Sequence, residues 1–419
     1  MNATSRIERG MKVLLVNQFF HPDVAAVAQL MADLAEDLTK KGIEVSVLCG
    51  RANYSAERND DRAANPYLKQ VNIHRVPSLN LGGRSGLVHL LNYLSFLILA
   101  PLRAITLSRY DSTVVFTNPP LIAVVGWLLK LLRGTKFIYV VEDLYPDVAI
   151  ELGFLKRDGA VTNVANKVSS FLLRHADRVV ALDDKVKHEV VAKGVKGERV
   201  IVIPNWADGE QIYPVEKSTN WFVEKHQLKG KFVVQYSGHM GEGHDFSTIL
   251  QAAKCLQEYD DIVFLFIGAG PKRGEIAEFK GQHNLDNVLL LPYQDRTDLR
   301  FSLGAADVAL ISLKSNLESL MIPCKVYGIM ASGRPFIYLG SKEGEMSRIA
   351  QTAECGFTIP QGKVESLVDT ILHLYQDESL QQELGSKAQR YFLEHFERKL
   401  ATARYYELLM DVLDAGSKD

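Results

Sequence analysis

Short apolar runs alternate with longer segments of helical periodicity along almost the whole chain. Near-continuous apolar runs of this kind are typical of strands that are buried on both faces of a parallel sheet. In the first half, the runs are Lys12–Val16, Glu44–Leu48, Val71–Val76, Thr113–Thr117, Lys136–Val141, Arg178–Leu182 and Val200–Ile203. The pattern therefore predicts a first α/β domain with helices between its strands.

The same alternation starts again after a polar stretch that ends near Lys229. The strands predicted there are Phe232–Tyr236, Ile262–Ile267, Val288–Leu291, Val308–Ile311 and Pro335–Tyr338. We predict an α/β protein with two Rossmann-like, doubly wound domains, at residues 1–205 and 206–395. A C-terminal helix at 396–419 is expected to pack back toward the first domain. Ligands of such paired open sheets bind at the carboxyl ends of the strands, here in a cleft between the domains.

Two segments of the first half, 87–107 and 121–132, are the most hydrophobic parts of the chain. A membrane-spanning helix needs roughly 20 apolar residues. The first segment is interrupted at His89, Asn92, Pro101 and Arg103, and the second is too short. For 87–107 we favour an amphipathic helix lying in a membrane interface, and for 121–132 a helix that covers the sheet. In the membrane interpretation, Trp127 would lie in the interface, with Arg103, Lys130 and Arg133 toward the headgroups.

Composition and cysteine spacing exclude several classes of protein. With 47% hydrophobic and 23% charged residues, the chain has an ordinary globular composition. The four cysteines are far apart and form no CxxC pair, which argues against a zinc ribbon, a redox dithiol and a secreted disulfide framework. No signal-peptide pattern precedes the first strand. A cytoplasmic location is therefore expected.

The net charge of −2 hides an asymmetry between the two halves. Residues 1–205 carry 26 Lys and Arg against 20 Asp and Glu, and the remainder carries 22 against 30. A basic half joined to an acidic half suggests different partners. As the binding partner of the basic half we favour an anionic membrane surface over nucleic acid. The alternative is that these charges have no partner and only keep the protein surface hydrated.

Glycines cluster after the first two strands of the second half. They are Gly238, Gly241, Gly243, Gly268 and Gly270. At the carboxyl ends of neighbouring strands, backbone donors can contact a phosphate-bearing nucleotide, and His239 and His244 add side-chain donors. We therefore predict a nucleotide site here, although glycines also serve ordinary tight turns.

Other common nucleotide and metal sites are not predicted. The turn after the first strand, 17–27, contains no glycine, and no Walker A pattern occurs. Nicotinamide-dependent hydride transfer and P-loop phosphoryl transfer are therefore disfavoured. No metal cofactor is expected, because no DxD loop and no His/Cys cluster is present. The acidic pair Asp183–Asp184 is interpreted as a helix cap.

The segment 318–335 predicts a helix that begins at Pro323 and ends at Gly333 and Pro335. Lys325 falls in its first turn, where a cation opposes the helix dipole unless an anion is bound. A nucleoside diphosphate would be such an anion. The alternative is a solvated lysine.

Together these patterns resemble the GT-B glycosyltransferases of family 4, particularly those of bacterial colanic-acid and O-antigen biosynthesis. The resemblance follows the family's order over nearly the whole chain. It rests on residues 11–23, 41–48, 118–120, 142–147, 202–205, 236–241, 266–270, 306–307 and 323–335. It implies a retaining, metal-independent transfer. The UDP- or GDP-linked sugar donor is expected on the second domain and the sugar acceptor on the first.

The chain departs from the family's pattern at several contacts. The family's basic pair in the glycine-rich turn corresponds to His239 and His244, and its E-x7-E pair falls at Leu320 and Gly328. Glu318 or Glu345 is expected to replace the missing ribose contact. The residues that the glycine turns and the resemblance together assign to the sugar donor are Gly238, His239, Gly241, His244, Gly268, Gly270, Tyr293, Glu318, Tyr327 and Gly328.

Catalytic roles follow from where charge develops. We assign Lys325, with His239 and the Gly238 and Gly241 amides, to the departing diphosphate. The acceptor hydroxyl needs alignment and a proton acceptor, for which the candidates are Glu142, Asp143, Asp147 and His21. Helix capping is the alternative for the three carboxylates, and a structural role is the alternative for the histidine.

The resulting hypothesis is a peripheral transferase at the inner face of the cell membrane. It would move a sugar from a nucleotide-sugar to a polyprenyl-diphosphate-linked saccharide in surface-polysaccharide assembly. Two alternatives stay open: a non-catalytic nucleotide-sugar-binding homologue and a sugar-nucleotide epimerase of the same fold.

Overall fold

The computed structural model describes residues 10–23, 25–51, 67–79, 81 and 86–415. The chain divides into two compact units. The first unit combines the chain up to Pro204 with the segment from Lys399 onward, and the second runs from Asn205 to Arg398.

The first unit is built on a parallel sheet of seven strands in the order β3-β2-β1-β4-β5-β6-β7. The strands are β1 (Lys12–Val16), β2 (Glu44–Cys49), β3 (Asn72–Arg75), β4 (Ser112–Phe116), β5 (Lys136–Val141), β6 (Arg178–Ala181) and β7 (Val200–Val202). The order reverses between β1 and β4, which makes the carboxyl ends of these strands the switch point of the fold. All seven predicted strands are confirmed to within one or two residues.

In the described part of the first unit, six helices lie between these strands. They are α1 (Ala26–Lys40), α2 (Gly86–Ala104), α3 (Val124–Arg133), α4 (Asp147–Glu151), α5 (Ala160–His175) and α6 (Asp184–Ala192). Helix α6 begins at the predicted cap, because the Asp183 carboxylate accepts a 2.6 Å hydrogen bond from the Val186 amide. Helix α1 ends just before Gly42, whose φ of +82° suits the reversal into β2.

The second unit contains a parallel sheet of six strands in the order β10-β9-β8-β11-β12-β13. The strands are β8 (Phe232–Ser237), β9 (Ile262–Ile267), β10 (Val288–Leu291), β11 (Val308–Ser312), β12 (Phe336–Leu339) and β13 (Gly356–Ile359). The prediction of a doubly wound second sheet is confirmed, but β13 was missed. It is short, begins with a glycine and is mostly half-buried, so its apolar pattern is weak.

Eight helices surround this sheet. They are α7 (Trp221–Lys225), α8 (Ser247–Cys255), α9 (Arg273–His283), α10 (Leu299–Leu303), α11 (Lys325–Ala331), α12 (Glu345–Thr352), α13 (Val364–Gln376) and α14 (Glu378–His395).

The predicted helical stretch at the end of the chain is two helices rather than one. After α14, α15 runs over Arg398–Ala415, and from Lys399 it belongs to the first unit. The break falls at Phe396–Glu397, because these residues turn their backbone toward Ala207. The Ala207 amide donates to the Phe396 carbonyl at 3.3 Å, and Ala207 forms a parallel bridge with Glu397.

A buried ion pair lies next to the bridge between Ala207 and Glu397. Arg398 Nη1 lies 3.0 Å from Asp208 Oδ2, and each side chain is only 9% exposed. We expect Asp208→Ala to lower the free energy of unfolding of the second unit by about 3–5 kcal/mol, because a buried guanidinium loses its carboxylate. Urea denaturation measures this. The exposed Asp286→Ala is the control and should stay within about 0.5 kcal/mol; equal midpoints for the two variants would contradict the prediction.

Candidate active site

The glycine turns after β8 and β9 stack directly on each other in the second unit. A Cβ on Gly268 would lie 2.1 Å from the Gly238 carbonyl oxygen, and one on Gly270 would lie 2.4 Å from the Met240 carbonyl oxygen. Gly268 and Gly270 also have φ values of +135° and +150°, which L side chains rarely adopt. Only glycine therefore allows the two turns to approach this closely.

Lys325 points its side chain at these turns from the first position of α11. Its Nζ lies 3.5 Å from the centroid of the Tyr236 ring, and a Cβ on Gly238 would lie 3.4 Å from both Cε and Nζ. The Nζ atom is buried and has no hydrogen-bond partner among the described residues. Burial lowers the pKa of Lys325 to about 7. The site is thus a buried cation without a counter-ion, which is the environment that an anionic ligand would complete.

The two predicted histidines lie beside Lys325 and are neutral at pH 7. Burial, followed by the charge of Lys325, lowers the pKa of His244 to about 3, and the same two causes lower the pKa of His239. His244 Nδ1 donates its proton to the Ser312 carbonyl. Because a neutral imidazole has one N–H, His244 Nε2 is an acceptor and does not donate to a phosphate. His244 therefore shapes the site rather than clamping the ligand.

Of the two backbone amides that were expected to contact the diphosphate, those of Gly238 and Gly241, one is already bonded within the protein. The Gly238 amide already donates to the Ile267 carbonyl at 2.9 Å, so this amide does not serve a ligand. The role of Gly238 is instead to leave room for Lys325. The Gly241 amide has no hydrogen-bond partner within the described part of the chain and is available to an anion.

Tyr293 borders the glycine turns on the other side. Its hydroxyl donates to the Ala269 carbonyl at 3.4 Å, and its Cε1 would lie 3.4 Å from a Cβ on Gly268. The structure therefore brings Tyr293 together with Gly268, as the sequence suggested.

The carboxylate of Glu318 is hydrogen-bonded within the protein. Its Oε1 accepts hydrogen bonds from the Tyr338 hydroxyl and the Ser341 amide, both at 2.6 Å, and its Oε2 accepts from the Ser341 hydroxyl. The other candidate for that contact, Glu345, pairs with Arg348 Nε at 2.7 Å. Both carboxylates therefore have hydrogen-bond partners within the protein, and the ribose contact stays a prediction.

The remaining two predicted positions of α11 face the protein interior. Tyr327 is buried and packs edge-on against Phe396, with ring centroids 5.0 Å apart. A Cβ on Gly328 would lie 3.4 Å from Leu303 and 3.8 Å from Ile212. These residues support the helix that carries Lys325.

In the first unit, three candidate carboxylates follow the buried strand β5. Burial raises the pKa of Asp143 to about 6. Asp147 forms a 2.7 Å ion pair with Lys193, and the Glu142 amide donates to the Thr117 hydroxyl at 3.0 Å. No side chain caps α4, so the capping alternative does not describe these residues. A carboxyl group with a pKa of about 6 can exchange a proton near neutral pH.

Three tyrosines that sequence reasoning missed surround these carboxylates. Burial, together with the charge of Glu142, raises the pKa of Tyr405 in α15. Burial raises the pKa of Tyr145, with further contributions from Asp143 and Tyr93. Only Tyr145 lies in the 142–147 motif; Tyr93 and Tyr405 come from distant helices, and no local pattern marks them.

His21 lies in the turn between β1 and α1, five residues after the end of β1. Two strand spacings separate β1 from β5 in the sheet, or about 10 Å. The His21 carbonyl accepts a 2.8 Å hydrogen bond from Arg75 Nη2. Peptide bonds before proline are cis at His21–Pro22, Asn118–Pro119 and Tyr145–Pro146, close to the carboxyl ends of β1, β4 and β5.

Helix α2 has one buried side and one exposed apolar side. Phe96 and Ala100 are buried against the unit. The opposite side, here called the apolar face of α2, is exposed by 40–61% at Leu90, Leu91, Leu94, Ile98 and Leu102. In the part of the chain that the structure describes, no helix is long and apolar enough to cross a membrane.

Helix α3 mainly covers the sheet, as expected, with Val125 and Leu129 buried. The side chains that the sequence suggested for the membrane interface have partners within the first unit. Lys130 pairs with Asp177 at 2.8 Å, and Arg133 donates to the carbonyls of Ile105, Leu107 and Ser108. Trp127 packs edge-on against Phe171. These side chains hold helices and loops together, because each finds an internal partner.

Two family matches cover most of the chain. Residues 26–206 match the glycosyl transferase 4-like domain, and residues 218–391 match the glycosyl transferases group 1 family. WbjE of Pseudomonas aeruginosa, named as a glycosyltransferase, is 29% identical over 64% of this chain and 67% of its own length. WcaI of Escherichia coli K12, named as a colanic acid biosynthesis glycosyl transferase, is 24% identical over 82% of this chain and 86% of its own length.

Solved structures share the architecture at low identity. Sucrose-phosphate synthase from Thermosynechococcus elongatus has a TM-score of 0.75 at 17% identity, over 97% of this chain and all of that one. Anabaena Alr3699/HepE in complex with UDP-glucose has a TM-score of 0.72 at 16% identity, over 96% of this chain and all of that one. The fold is GT-B, and the chain belongs to the group 1 glycosyltransferases of family 4, with WcaI and WbjE among its relatives.

Proposed function

We propose that this glycosyltransferase moves a sugar from a nucleotide-sugar to a lipid-linked saccharide at a membrane surface. The observation that carries the proposal is the buried ammonium of Lys325, which has no counter-ion and lies against stacked glycine turns. A nucleoside diphosphate would supply that counter-ion. The complex of Alr3699/HepE with UDP-glucose supports a UDP-sugar as the first donor to test.

On the donor side, the residues around Lys325 favour departure of the diphosphate. As the bond between the sugar and the diphosphate breaks, negative charge grows on the departing phosphate oxygen. A fixed cation stabilises that charge most strongly in a site from which water is excluded. Lys325 provides the cation, and the Gly241 amide is a backbone donor nearby. The rigid turns hold both in place before the reaction begins.

On the acceptor side, Asp143 takes the proton of the attacking hydroxyl. Its pKa of about 6 keeps it mostly ionised at neutral pH and still basic enough to accept a proton. The buried Tyr145 hydroxyl, whose pKa is raised partly by Asp143, lies close to it. Asp147 is paired with Lys193 and supports the turn instead.

The apolar face of α2 supports a membrane-bound acceptor. Contiguous exposed apolar side chains of this kind mark contacts with membranes or other proteins. Leu131 and Leu132 on α3, which packs beside α2, are exposed by 64% and 60%. An amphipathic surface of this kind lies in the membrane interface and keeps the enzyme beside a lipid-linked substrate.

The proposal is tested by incubating the protein with radiolabelled UDP- and GDP-sugars and polyprenyl-diphosphate-linked saccharides. We expect transfer with at least one pair. Failure to transfer or to hydrolyse any of the sugar nucleotides would contradict the proposal. Binding of UDP without any turnover would favour the non-catalytic alternative, and conversion of a sugar nucleotide without an acceptor would favour the epimerase.

Binding of UDP is expected to weaken as the pH rises above about 7. In the empty site the pKa of Lys325 is about 7, and a bound diphosphate raises it, because opposite charge favours the protonated form. Binding above this pH therefore takes up a proton, and the affinity falls by up to about tenfold per pH unit. Both histidines have lowered pKa values and add no proton in this range.

Calorimetry in two buffers of different ionisation enthalpy measures the proton uptake directly. At about pH 8 we expect close to one proton per UDP for the unmodified protein and none for Lys325→Met. A pH-independent affinity in both would show that Lys325 is not the group that binds the phosphate.

A further inference from the structure

Arg75 is a fixed cation at the carboxyl end of β3 that the proposed reaction does not use. Its Nη2 donates to the His21 carbonyl at 2.8 Å, and its Nη1 donates to the Gly50 carbonyl at 3.2 Å and lies 3.7 Å from Cys49 Sγ. All three partners are uncharged. No carboxylate pairs with Arg75 among the residues that the structure describes.

This bonding pattern leaves the charge of Arg75 available. A guanidinium has five N–H donors, and the carbonyl partners use only some of them while fixing the plane of the group. The side chain stays exposed. A planar guanidinium that is oriented in advance matches the oxygens of a phosphate in a bidentate geometry.

An exposed apolar strip begins a few residues after Arg75. Leu79 and Leu81 are exposed by 46% and 43%. The Leu81 amide donates to Asn92 Oδ1 at 3.0 Å, and Asn92 Nδ2 donates to the Leu81 carbonyl at 3.2 Å. The Leu79 amide donates to the Ser95 hydroxyl at 2.9 Å. Because Asn92 and Ser95 belong to α2, these bonds place the strip beside the apolar face of that helix.

We propose that Arg75 binds the phosphate of the lipid-linked acceptor, while the lipid chain lies along Leu79, Leu81 and the apolar face of α2. This inference rests on the proposed function, because it takes the acceptor to be lipid-linked. The ligand class is a phosphate ester that carries both a saccharide and an isoprenoid chain. Arg75 and Asp143 both lie at the carboxyl edge of one parallel sheet, four strand spacings or about 19 Å apart. One acceptor can reach both if several sugar residues separate its phosphate from the reacting hydroxyl.

The acceptor's own phosphate fits better than the headgroups of a bilayer. Binding to headgroups depends on several mobile cations spread over a surface. Two of the three residues that the sequence suggested for that purpose, Lys130 and Arg133, are bonded internally. The third, Arg103, donates to the Thr106 hydroxyl at 3.1 Å. Arg75, in contrast, is oriented by two backbone carbonyls and lies beside an apolar strip, an arrangement that suits a single phosphate.

The test compares two acceptors with the same saccharide, one on a polyprenyl diphosphate and one on a short, phosphate-free alkyl chain. Kinetics are measured in detergent solution with saturating sugar donor, without vesicles. We expect Arg75→Gln to raise KM for the phosphorylated acceptor by about 10- to 100-fold, because a charge-assisted contact is lost. KM for the alkyl acceptor should not change. Arg75→Lys should recover part of the loss.

Lys69→Gln is the matched control, because it removes one exposed positive charge just before the opposite end of β3. Its KM values should equal those of the unmodified protein. Leu81→Ser should raise KM only for long-chain acceptors, since it shortens the apolar strip.

Three results would overturn the inference. An equal rise of KM for both acceptors would mean that Arg75 only positions the His21 turn. Unchanged kinetics with weaker binding to phosphatidylglycerol vesicles would assign Arg75 to bilayer headgroups, and unchanged kinetics and binding would leave it no role in recognition. If the unmodified protein transferred sugar to neither acceptor, the proposed function itself would fail, and the inference with it.

Discussion

Replacing Lys325 by methionine is expected to lower kcat by about 10²- to 10³-fold, which is the usual effect of removing one group that stabilises charge in a transition state. Methionine matches the apolar stem of lysine as far as Cε but has no ammonium. The side chain can therefore still pack against Tyr236 and Gly238, while the departing diphosphate loses its cation. Initial rates at saturating sugar nucleotide and acceptor measure the effect.

The same substitution should make the empty protein more stable. A buried ammonium without a counter-ion is unfavourable in the native state, so its removal raises the free energy of unfolding. A gain of stability combined with a loss of turnover marks a residue kept for function. Lys342→Met, at an exposed position of the same unit, should change neither quantity. Full turnover in Lys325→Met would remove the basis of the proposed mechanism.

Most of the fold could be predicted because parallel strands leave a strong local signal. Buried strands such as β5 and β9 are continuous apolar runs, so the sequence alone shows where each strand begins and ends. Strand β13 lies at the sheet edge and has no such run. The break between α14 and α15 depends on Ala207, far away in sequence, so no local pattern could locate it.

The site could be predicted only in part, for the same reason. The glycine turns and Lys325 lie in compact motifs, and the structure brings them together. The contacts of Glu318 with Tyr338 and Ser341 depend on the next strand, β12, and on the loop that follows it. The position of Tyr405 beside Glu142 depends on a helix from the far end of the chain. The sequence suggested that Glu318 contacts the ligand, but in the structure its carboxylate accepts hydrogen bonds from neighbouring protein groups.

Gly268→Ala is expected to abolish binding of UDP and to destabilise the second unit by several kcal/mol. The added Cβ would lie 2.1 Å from the Gly238 carbonyl oxygen, and the backbone φ of +135° is strained for alanine. The obstacle is backbone rather than the end of a flexible side chain, so one of the two turns must move. Because Gly238 lies against Lys325, this movement also displaces the cation.

Gly274→Ala is the matched control, since a Cβ there would meet nothing within 4 Å and the residue lies inside α9. Alanine is the better helix former, so this variant should gain about 0.5–1 kcal/mol and bind UDP normally. Urea denaturation and calorimetric titration with UDP measure both variants. If Gly268→Ala bound UDP as tightly as Gly274→Ala, the stacked turns could not be the phosphate site, and the diphosphate would have to bind elsewhere on the second unit.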